Sequence, residues 1–261
     1  MGMALLVGLL ALVLLSPLFM QLDPLAVNPS ATFQTPRQAP PMGTDNLGRD
    51  LYARFVYGGR VSLTVGFLAV LLGAVAGVVL GMAAGFYGGW LDAGTSWLIE
   101  VLLAFPGILL ALVIVAILGP GTRNVIIAVG IGFAPSYMRM TRGSVLAARE
   151  ADYVSAARAT GVPNGRIMRR HILPNIARPL LVLATIGVGG AILEGAALSF
   201  LGMGVQPPDP EWGAMLSAAQ QYVRRAWWMG VFPGIGIFVC VLAINLIGDG
   251  LSDVVGRPSR K

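Results

Sequence analysis

The sequence predicts an all-α polytopic membrane protein with six transmembrane helices. Of its 261 residues, 56% are hydrophobic and only 11% are charged, which is about half the charged fraction of a soluble domain. Apolar runs of about 20 residues, the length that crosses a hydrocarbon core of ~30 Å, recur along the chain. Because backbone groups in lipid must be satisfied internally, we expect helices. Runs this continuous exclude the alternating strands of a membrane barrel.

The first apolar run has two interpretations, a signal peptide or a retained membrane anchor. A charged segment before it and a clear cleavage site of small residues are both missing, so we expect residues 1–22 to be an anchor. The remaining five runs form a helical core over residues 61–255, followed by a short tail, 256–261. The six predicted spans are 3–22, 61–85, 94–118, 124–142, 177–201 and 229–249.

Lys and Arg predict the orientation, because cytoplasmic loops carry an excess of both. With the amino terminus inside, the loop 143–176 and the tail face the cytoplasm, as does the carboxyl terminus. The cytoplasmic side then holds eleven cations and the outer side seven. The eleven are Arg139, Arg142, Arg149, Arg158, Arg166, Arg169, Arg170, Arg178, Arg257, Arg260 and Lys261, and the seven are Arg37, Arg49, Arg54, Arg60, Arg123, Arg224 and Arg225.

Two segments, 23–60 and 202–228, are then external. Prolines make the first half of 23–60 irregular. Its second half, 45–59, carries apolar residues at helical spacing and predicts a short amphipathic helix at the interface. In the second segment, Trp227 and Trp228 suit the boundary between membrane and water. The spaced apolar residues of the first segment are Leu47, Leu51 and Phe55.

The second span carries glycine at every fourth position. Because this removes the side chains from one helix face, another helix can approach closely. The alternative is the ordinary glycine richness of membrane helices, since the chain has 35 glycines in all. We favour close packing. The four positions are Gly73, Gly77, Gly81 and Gly85.

One polar segment, residues 149–175, interrupts the apolar sequence. It holds five arginines, the acids Glu150 and Asp152, and the only histidine. Small and aromatic residues at i, i+3, i+4 and i+7 predict a short helix with one narrow face, and the acids suit its first turn. Gly161 and then Pro163 end that helix. The residues of the face are Tyr153, Ala156, Ala157 and Thr160.

A second short helix is expected to start at Asn164 or Gly165 and to be stopped by Pro174, with Asn175 capping the fifth span. Two interpretations of the whole segment remain open. It is either a knob that docks in a groove of another protein or a basic loop that only fixes the topology.

The net charge of +6 does not indicate nucleic-acid binding, because the basic residues lie in loops between spans and are explained by topology. Cys240 is the only cysteine and lies in an apolar run, so we expect a structural thiol without disulfide or metal. Glu100 and Glu194 are acids at or within spans, where charge is costly. Binding of a peptide amino terminus or a cation is one role. A structural role is favoured, with Glu100 near the boundary and Glu194 hydrogen-bonded inside the bundle.

The polar segment resembles the cytoplasmic "EAA" signature of ABC importer permeases. The pattern is SAARATG, nine residues, then H-x-L-P. Ser155 replaces the glutamate of the signature, and His171 replaces an isoleucine. The matching residues are Ala156, Ala157, Gly161, Leu173 and Pro174.

Three further stretches resemble signatures of the dipeptide, oligopeptide and nickel permeases within this class. They are Gly43 to Leu63, Glu100 to Leu112 and Glu194 to Leu216, in the order found in that family. The anchor and long outer segment resemble the "C" type of its two permease subunits. By this set of motifs the chain is identified as a member of the family.

The resemblance implies the type I ABC importer permease fold, in a bacterial or archaeal plasma membrane. It implies four partners: a "B"-type permease, two cytoplasmic ATPases and an external solute-binding protein. ATP and Mg²⁺ would bind the ATPases, and this chain would be non-catalytic and hold no cofactor or metal. The sequence agrees, because its sole lysine is Lys261 and it carries no phosphate-binding glycine loop.

The resemblance also implies which residues act. One set would couple the chain to an ATPase: Glu150, Asp152, Tyr153, Ser155, Ala156, Ala157, Arg158, Gly161, His171, Leu173 and Pro174. A second set would lie on the translocation pathway: Glu100, Phe105, Pro106, Glu194 and Ser199. Arg169 and Arg170 would meet either acids of the ATPase or lipid phosphates.

The resemblance implies transport of dipeptides or oligopeptides by alternating access, with nickel chelates or other small solutes as the alternative. A secondary transporter is the rival class. It would show inverted repeats or buried proton-coupling groups, and the sequence offers few candidates for either.

Overall fold

A computed structural model of the protein describes residues 1–20, 23–37 and 40–256. All regular structure in these residues is helical, which confirms the predicted class, and one isolated bridge joins Thr44 and Asp50. The α-helices are α1 (Gly2–Phe19), α2 (Leu51–Tyr87), α3 (Gly89–Leu103), α4 (Gly107–Leu118), α5 (Thr122–Arg149), α6 (Asp152–Ala159), α7 (Asn164–Ile167), α8 (Leu173–Phe200), α9 (Trp212–Ala219) and α10 (Trp228–Gly256).

Among the described residues, four helical paths are long and apolar enough to cross a membrane: α1, α2, α10 and the path Asn164–Phe200. The pair α3 and α4 is a fifth candidate if its two helices form one span, and it is bent by 93° at its break. The predicted span 94–118 is therefore not one continuous helix, because Pro106 lacks the N–H that would continue α3. The helix α5, the remaining predicted span, has 28 residues but carries Arg139 and Arg142 in its second half.

The predicted short helix at 45–59 was also wrong, since α2 runs from Leu51 to Tyr87 without a break. Asp50 caps this helix, and its carboxylate accepts a hydrogen bond of 2.8 Å from the Tyr52 N–H. Leu51 and Phe55 of the amphipathic pattern belong to the first turns of this 37-residue helix, whereas Leu47 precedes it.

The packing of α2 against α5 follows the glycine ridge of Gly73, Gly77, Gly81 and Gly85. A Cβ atom at any of the four would lie closer than 3.0 Å to an atom of α5. This geometry supports close packing over incidental glycine richness. Lipid supplies no hydrophobic force between helices, so such direct contact is what holds the pair together.

The two ends of the α2–α5 pair define two ends of the molecule. The α6 end comprises the carboxyl ends of α2 and α5 with α6, α7 and the start of α8. The opposite end comprises the starts of α2 and α5 with residues 23–37, 40–50 and 201–228.

Two of the three tryptophans at the opposite end lie in the core. Trp212 is fully buried and Trp228 is 3% exposed, whereas Trp227 is 53% exposed. The boundary position predicted for Trp228 was therefore wrong. Its indole N–H donates to the Thr44 carbonyl at 3.1 Å, so residues 23–50 cover it.

The glycine ridge generates a stability prediction. Gly77→Ala would push a Cβ atom against the Tyr137 Cβ and the Ala134 carbonyl. We expect a loss of about 1–3 kcal/mol of unfolding free energy, the usual cost of overpacking. Unfolding in detergent is measured with a thiol-reactive fluorogenic dye, because the only cysteine, Cys240, is buried.

Gly94→Ala is the matched control, because nothing lies within 4 Å of a Cβ at that helical position. It should leave stability unchanged or raise it by up to about 1 kcal/mol through helix propensity. Equal melting curves for Gly77→Ala and Gly94→Ala would contradict the inference that the glycine ridge of α2 packs tightly against α5.

Candidate functional site

The polar segment forms a compact cap on the α6 end. Val154 and Ala157 are the buried residues of α6, and both belong to one apolar cluster. Phe86 at the end of α2 and Val145 near the end of α5 supply the cluster from the helix pair. The cap is thus seated on the glycine-ridge pair. The other buried members are Ile167, Ile172, Ile176 and Leu180.

Gly161 ends α6 as predicted, with a φ of 75° that only glycine adopts without strain. Its N–H donates to the Arg158 carbonyl at 3.0 Å, and the Val162 N–H donates to the Ala157 carbonyl at 3.1 Å. This pair of bonds is the Schellman motif. Val162 packs on the same apolar cluster, so the turn fixes how α6 lies.

Most of α6 faces outward. Tyr153 is 40% exposed, and Ser155, Ala156 and Thr160 are exposed as well. Ala157 was predicted to share one narrow face with Tyr153, Ala156 and Thr160, but it is 8% exposed and lies in the apolar cluster. A helix packed on an apolar core must turn one stripe of residues inward, and Val154 with Ala157 forms that stripe. The outward surface of α6 therefore comprises its exposed residues and the exposed Thr160 directly after it. The exposed residues of the helix are Asp152, Tyr153, Ser155, Ala156, Arg158 and Ala159.

The predicted stop at Pro174 was wrong, and so was the cap at Asn175. A π turn over Met168–Ile172 joins α7 directly to α8. The Leu173 N–H bonds to the Met168 carbonyl, and this wider turn accommodates a proline that has no N–H of its own. Asn175 instead donates its side-chain N–H to the His171 carbonyl at 2.6 Å.

Polar contacts attach the cap to its neighbours. Arg149 donates to the Gly85 carbonyl at 3.0 Å and pairs with Glu150 at the same distance. Glu150 caps the end of α5 and does not belong to α6. The Arg158 guanidinium lies 5.3 Å from the centre of the Phe86 ring. Arg142 holds Asp92 of α3 through a bond of 2.8 Å from Nη2 to Oδ2.

The cations separate as the topology prediction requires. Three of the eleven assigned to the cytoplasm, Arg257, Arg260 and Lys261, lie outside the described residues. The other eight lie between Arg139 and Arg178, at the α6 end. The seven assigned outside lie at the opposite end.

The predicted pathway residues do not form one cluster. Glu194 reaches the break between α3 and α4, where its Oε1 lies 3.3 Å from the position of a Cβ on Gly107. Its Oε2 is buried and has no hydrogen-bond partner among the described residues, contrary to the bond predicted inside the bundle. Phe105 is 57% exposed at the same break, beside Pro106. Glu100 is exposed on α3, and Ser199 is buried at the end of α8.

Sequence reasoning missed a buried carboxylate, Glu211, which is 2% exposed. Its Oε1 accepts a bond of 2.6 Å from Ser62 of α2, and its Oε2 accepts one of 2.9 Å from the Ala214 N–H. The same Ser62 hydroxyl accepts from the Trp212 N–H at 3.2 Å. Residues 202–228 were predicted only to be external, and that prediction gave no sign of this burial.

A second buried acid, Asp45, was also missed. It pairs with Arg49 at 2.7 Å and with Arg54 at 3.6 Å. Arg54 also donates to the carbonyls of Pro24 and Pro208 at 3.1 and 3.2 Å. The two networks fasten residues 23–50 and 201–211 to α2. The i, i+4 spacing of Asp45 and Arg49 was not recognised as an ion pair. The contacts that join α2 to Pro208 and Glu211 connect distant parts of the chain and leave no local spacing pattern.

Residues 77–261 match the family described as binding-protein-dependent transport system inner membrane component. The chain is 46% identical over 254 residues to the dipeptide transport system permease protein DppC of Alkalihalophilus pseudofirmus, covering 97% of this chain and 84% of that protein. It is 48% identical over 214 residues to the di/tripeptide transport system permease protein DppC of Pseudomonas aeruginosa, covering 82% and 71%.

Among solved structures, the fold is similar to a chain of the MetNI methionine ABC transporter in an inward-facing conformation. The TM-score is 0.62 at 21% identity, over 78% of this chain and 97% of that chain. At this identity the likeness shows a shared fold, that of an ABC importer permease. Together with the family match and the relatives, it shows that the chain belongs to the inner membrane components of binding-protein-dependent transport systems.

Proposed function

We propose that this chain is a permease subunit of an ATP-driven importer of short peptides. The observation that carries the proposal is the similarity over 97% of the chain to a permease named for dipeptide transport. Other relatives are named for di/tripeptide and glutathione transport, at 48% and 44% identity. These names favour peptides over nickel chelates, and the family favours an ATP-driven importer over a secondary transporter.

The outward surface of α6 is the docking site for an ATPase in this proposal. Apart from Tyr153 and the charged residues Asp152 and Arg158, its exposed residues are small, so a groove in a partner can approach the helix backbone closely. Rotation of α6 about its own axis is prevented by two features. Val154 and Ala157 are buried against the apolar cluster, and the turn at Gly161 is fixed by hydrogen bonds. A rigid, small-faced helix suits a contact that must transmit force.

Movement of α6 would pass to α8 through the short turn 160–163 and α7. Two backbone hydrogen bonds fix this turn, from the N–H groups of Gly161 and Val162. The path from Asn164 through the π turn to Phe200 is continuously helical, and the end of α8 near Glu194 meets the break between α3 and α4. ATP-driven closure of the two ATPases would thus tilt α8 against the bent pair. A tilt of this kind switches a cavity between inward and outward access by rigid-body motion.

The division of labour follows from this arrangement. Two cytoplasmic ATPases would bind ATP and Mg²⁺ and hydrolyse ATP, and a "B"-type permease would complete the pathway. An external solute-binding protein would deliver the peptide at the opposite end of the molecule. The α6 end would face the cytoplasm, with both termini inside, as its eight described arginines favour.

Substrate class is tested by uptake. Cells that lack this chain should lose ATP-dependent accumulation of a radiolabelled dipeptide and regain it when the chain is restored. The same cells are assayed with radioactive nickel. Loss of nickel uptake with normal dipeptide uptake would overturn the peptide assignment while leaving the importer assignment intact.

The docking role of α6 is tested by Ala156→Arg, because Ala156 is exposed and makes no contact with the buried stripe. A large charged side chain in a fitted contact costs about 1–3 kcal/mol. We therefore expect ATPase co-purification and peptide uptake to fall about tenfold or more, since 1.4 kcal/mol is a factor of ten.

Ala26→Arg is the matched control, an exposed alanine at the opposite end given the same charge. It should retain ATPase association. Dye labelling of Cys240 verifies that both variants are folded. Normal association of Ala156→Arg would show that α6 is not the docking helix.

Orientation is tested by single cysteines in a Cys240→Ala background. Ser155→Cys at the α6 end and Thr32→Cys at the opposite end are both exposed positions. A membrane-impermeant maleimide should label Thr32→Cys in intact cells and Ser155→Cys only after permeabilisation. The reverse labelling pattern would show that the orientation in the membrane is the opposite of the one proposed.

A further inference from the structure

An apolar groove runs between α2 and α8 in the half of the molecule nearer the α6 end. Its volume is about 420 Å³, and Tyr137 of α5 lies between its two walls. The few polar groups that line it have partners. The Thr185 hydroxyl donates to the Leu181 carbonyl at 2.9 Å, and the Tyr137 hydroxyl donates to the Leu183 carbonyl at 3.4 Å. The groove therefore presents hydrocarbon to whatever fills it.

The groove is long and open along one side. Its wall on α8 extends from Leu173 to Val188, which at 1.5 Å per residue is about 22 Å. One leaflet of the hydrocarbon core is about 15 Å thick. Leu181, Phe67 and Leu71 on its walls are 60%, 58% and 47% exposed. The shape suits a linear hydrocarbon chain that enters from one membrane surface.

Positive charge surrounds the end of the groove nearest α6. The Leu173 N–H closes the π turn onto Met168, so Arg169 and Arg170 lie about one turn before Leu173, where the groove begins. Arg178 precedes the lining residues Leu181 and Thr185 by three and seven positions, which puts it on the same edge of α8.

These three arginines have no opposite charge beside them. All are exposed, and none forms an ion pair among the described residues. The helix α2 has no acid anywhere, and α8 has none before Glu194, beyond the groove. The entrance therefore favours an anion, and the groove behind it favours a hydrocarbon chain.

We propose that the groove and these arginines form a binding site for an anionic glycerophospholipid. An acyl chain lies between α2 and α8, and the headgroup phosphate lies on Arg169, Arg170 and Arg178. An uncharged helix of a partner subunit would leave the arginines unmatched, and a soluble anion would leave the groove unfilled. The site depends on the membrane-embedded fold and not on docking at α6.

The test measures lipid binding to the chain purified with its partner subunits. The complex is stripped of lipid and titrated with phosphatidylglycerol or phosphatidylcholine, and bound lipid is counted by native mass spectrometry. Each arginine near an anionic headgroup strengthens binding about fivefold. We expect the double variant Arg170→Gln with Arg178→Gln to bind phosphatidylglycerol about 25-fold more weakly. Its binding of phosphatidylcholine should change little.

Two matched controls separate charge from groove. Arg123→Gln with Arg224→Gln removes the same charge from exposed positions at the opposite end and should bind like the unaltered protein. Ala184→Leu narrows the groove without altering charge and should weaken both lipids. Ala197→Leu places the same side chain in a different groove, between α8 and α10, and should weaken neither.

Four results would overturn the proposal. The first is equal affinity for the two lipids, and the second is unchanged binding by the Arg170 and Arg178 double variant. The third is displacement of the lipid by glycerol phosphate, which would reveal an anion site independent of the groove. The fourth is cross-linking of Ala184→Cys to the second permease, which would make the groove a subunit contact. None of these results bears on ATPase docking or peptide uptake.

Discussion

The close contact between α2 and α5 is the constraint on which the rest of the structure depends. Four glycines bring the two backbones so near that a single Cβ atom would not fit at any of them. In a bilayer this contact replaces the hydrophobic force that packs helices in water. The pair positions Phe86 and Val145, which seat α6, and it carries Ser62, which holds Glu211. Both ends of the molecule are therefore built on one fitted surface.

The two ends are held by different forces. At the opposite end, Asp45 and Glu211 are buried and bonded to several groups each, so their geometry is specific and costly to disturb. At the α6 end, an apolar cluster seats the cap, and apolar contact is not directional. Sliding of α6 and α7 on that cluster breaks fewer specific bonds than any movement of residues 23–50. The α6 end therefore offers less resistance to the movement that the proposed coupling requires.

The sequence predicted features that depend on neighbours along the chain. Apolar runs indicated the helices, the four-residue glycine period indicated the tight pair, and Gly161 followed by Pro163 indicated the end of α6. Sequence-based prediction failed where the structure depends on contacts between residues that are distant in the chain. Whether Ala157 faces in or out depends on Phe86 and Val145, and whether Trp228 is buried depends on residues 23–50. Local sequence patterns therefore located the candidate site, but they did not predict which of its residues are buried and which are exposed.

Pro174 illustrates why local rules and the fold disagree at the site itself. A proline within a helix removes a hydrogen bond and crowds the preceding turn, which ordinarily costs about 3 kcal/mol or ends the helix. Here the turn widens, Leu173 bonds to Met168, and Asn175 bonds to His171. The helix therefore continues from α7 into α8. A true break at this position would let α6 and α7 move without α8, so the irregular turn preserves the mechanical link on which the proposed coupling depends.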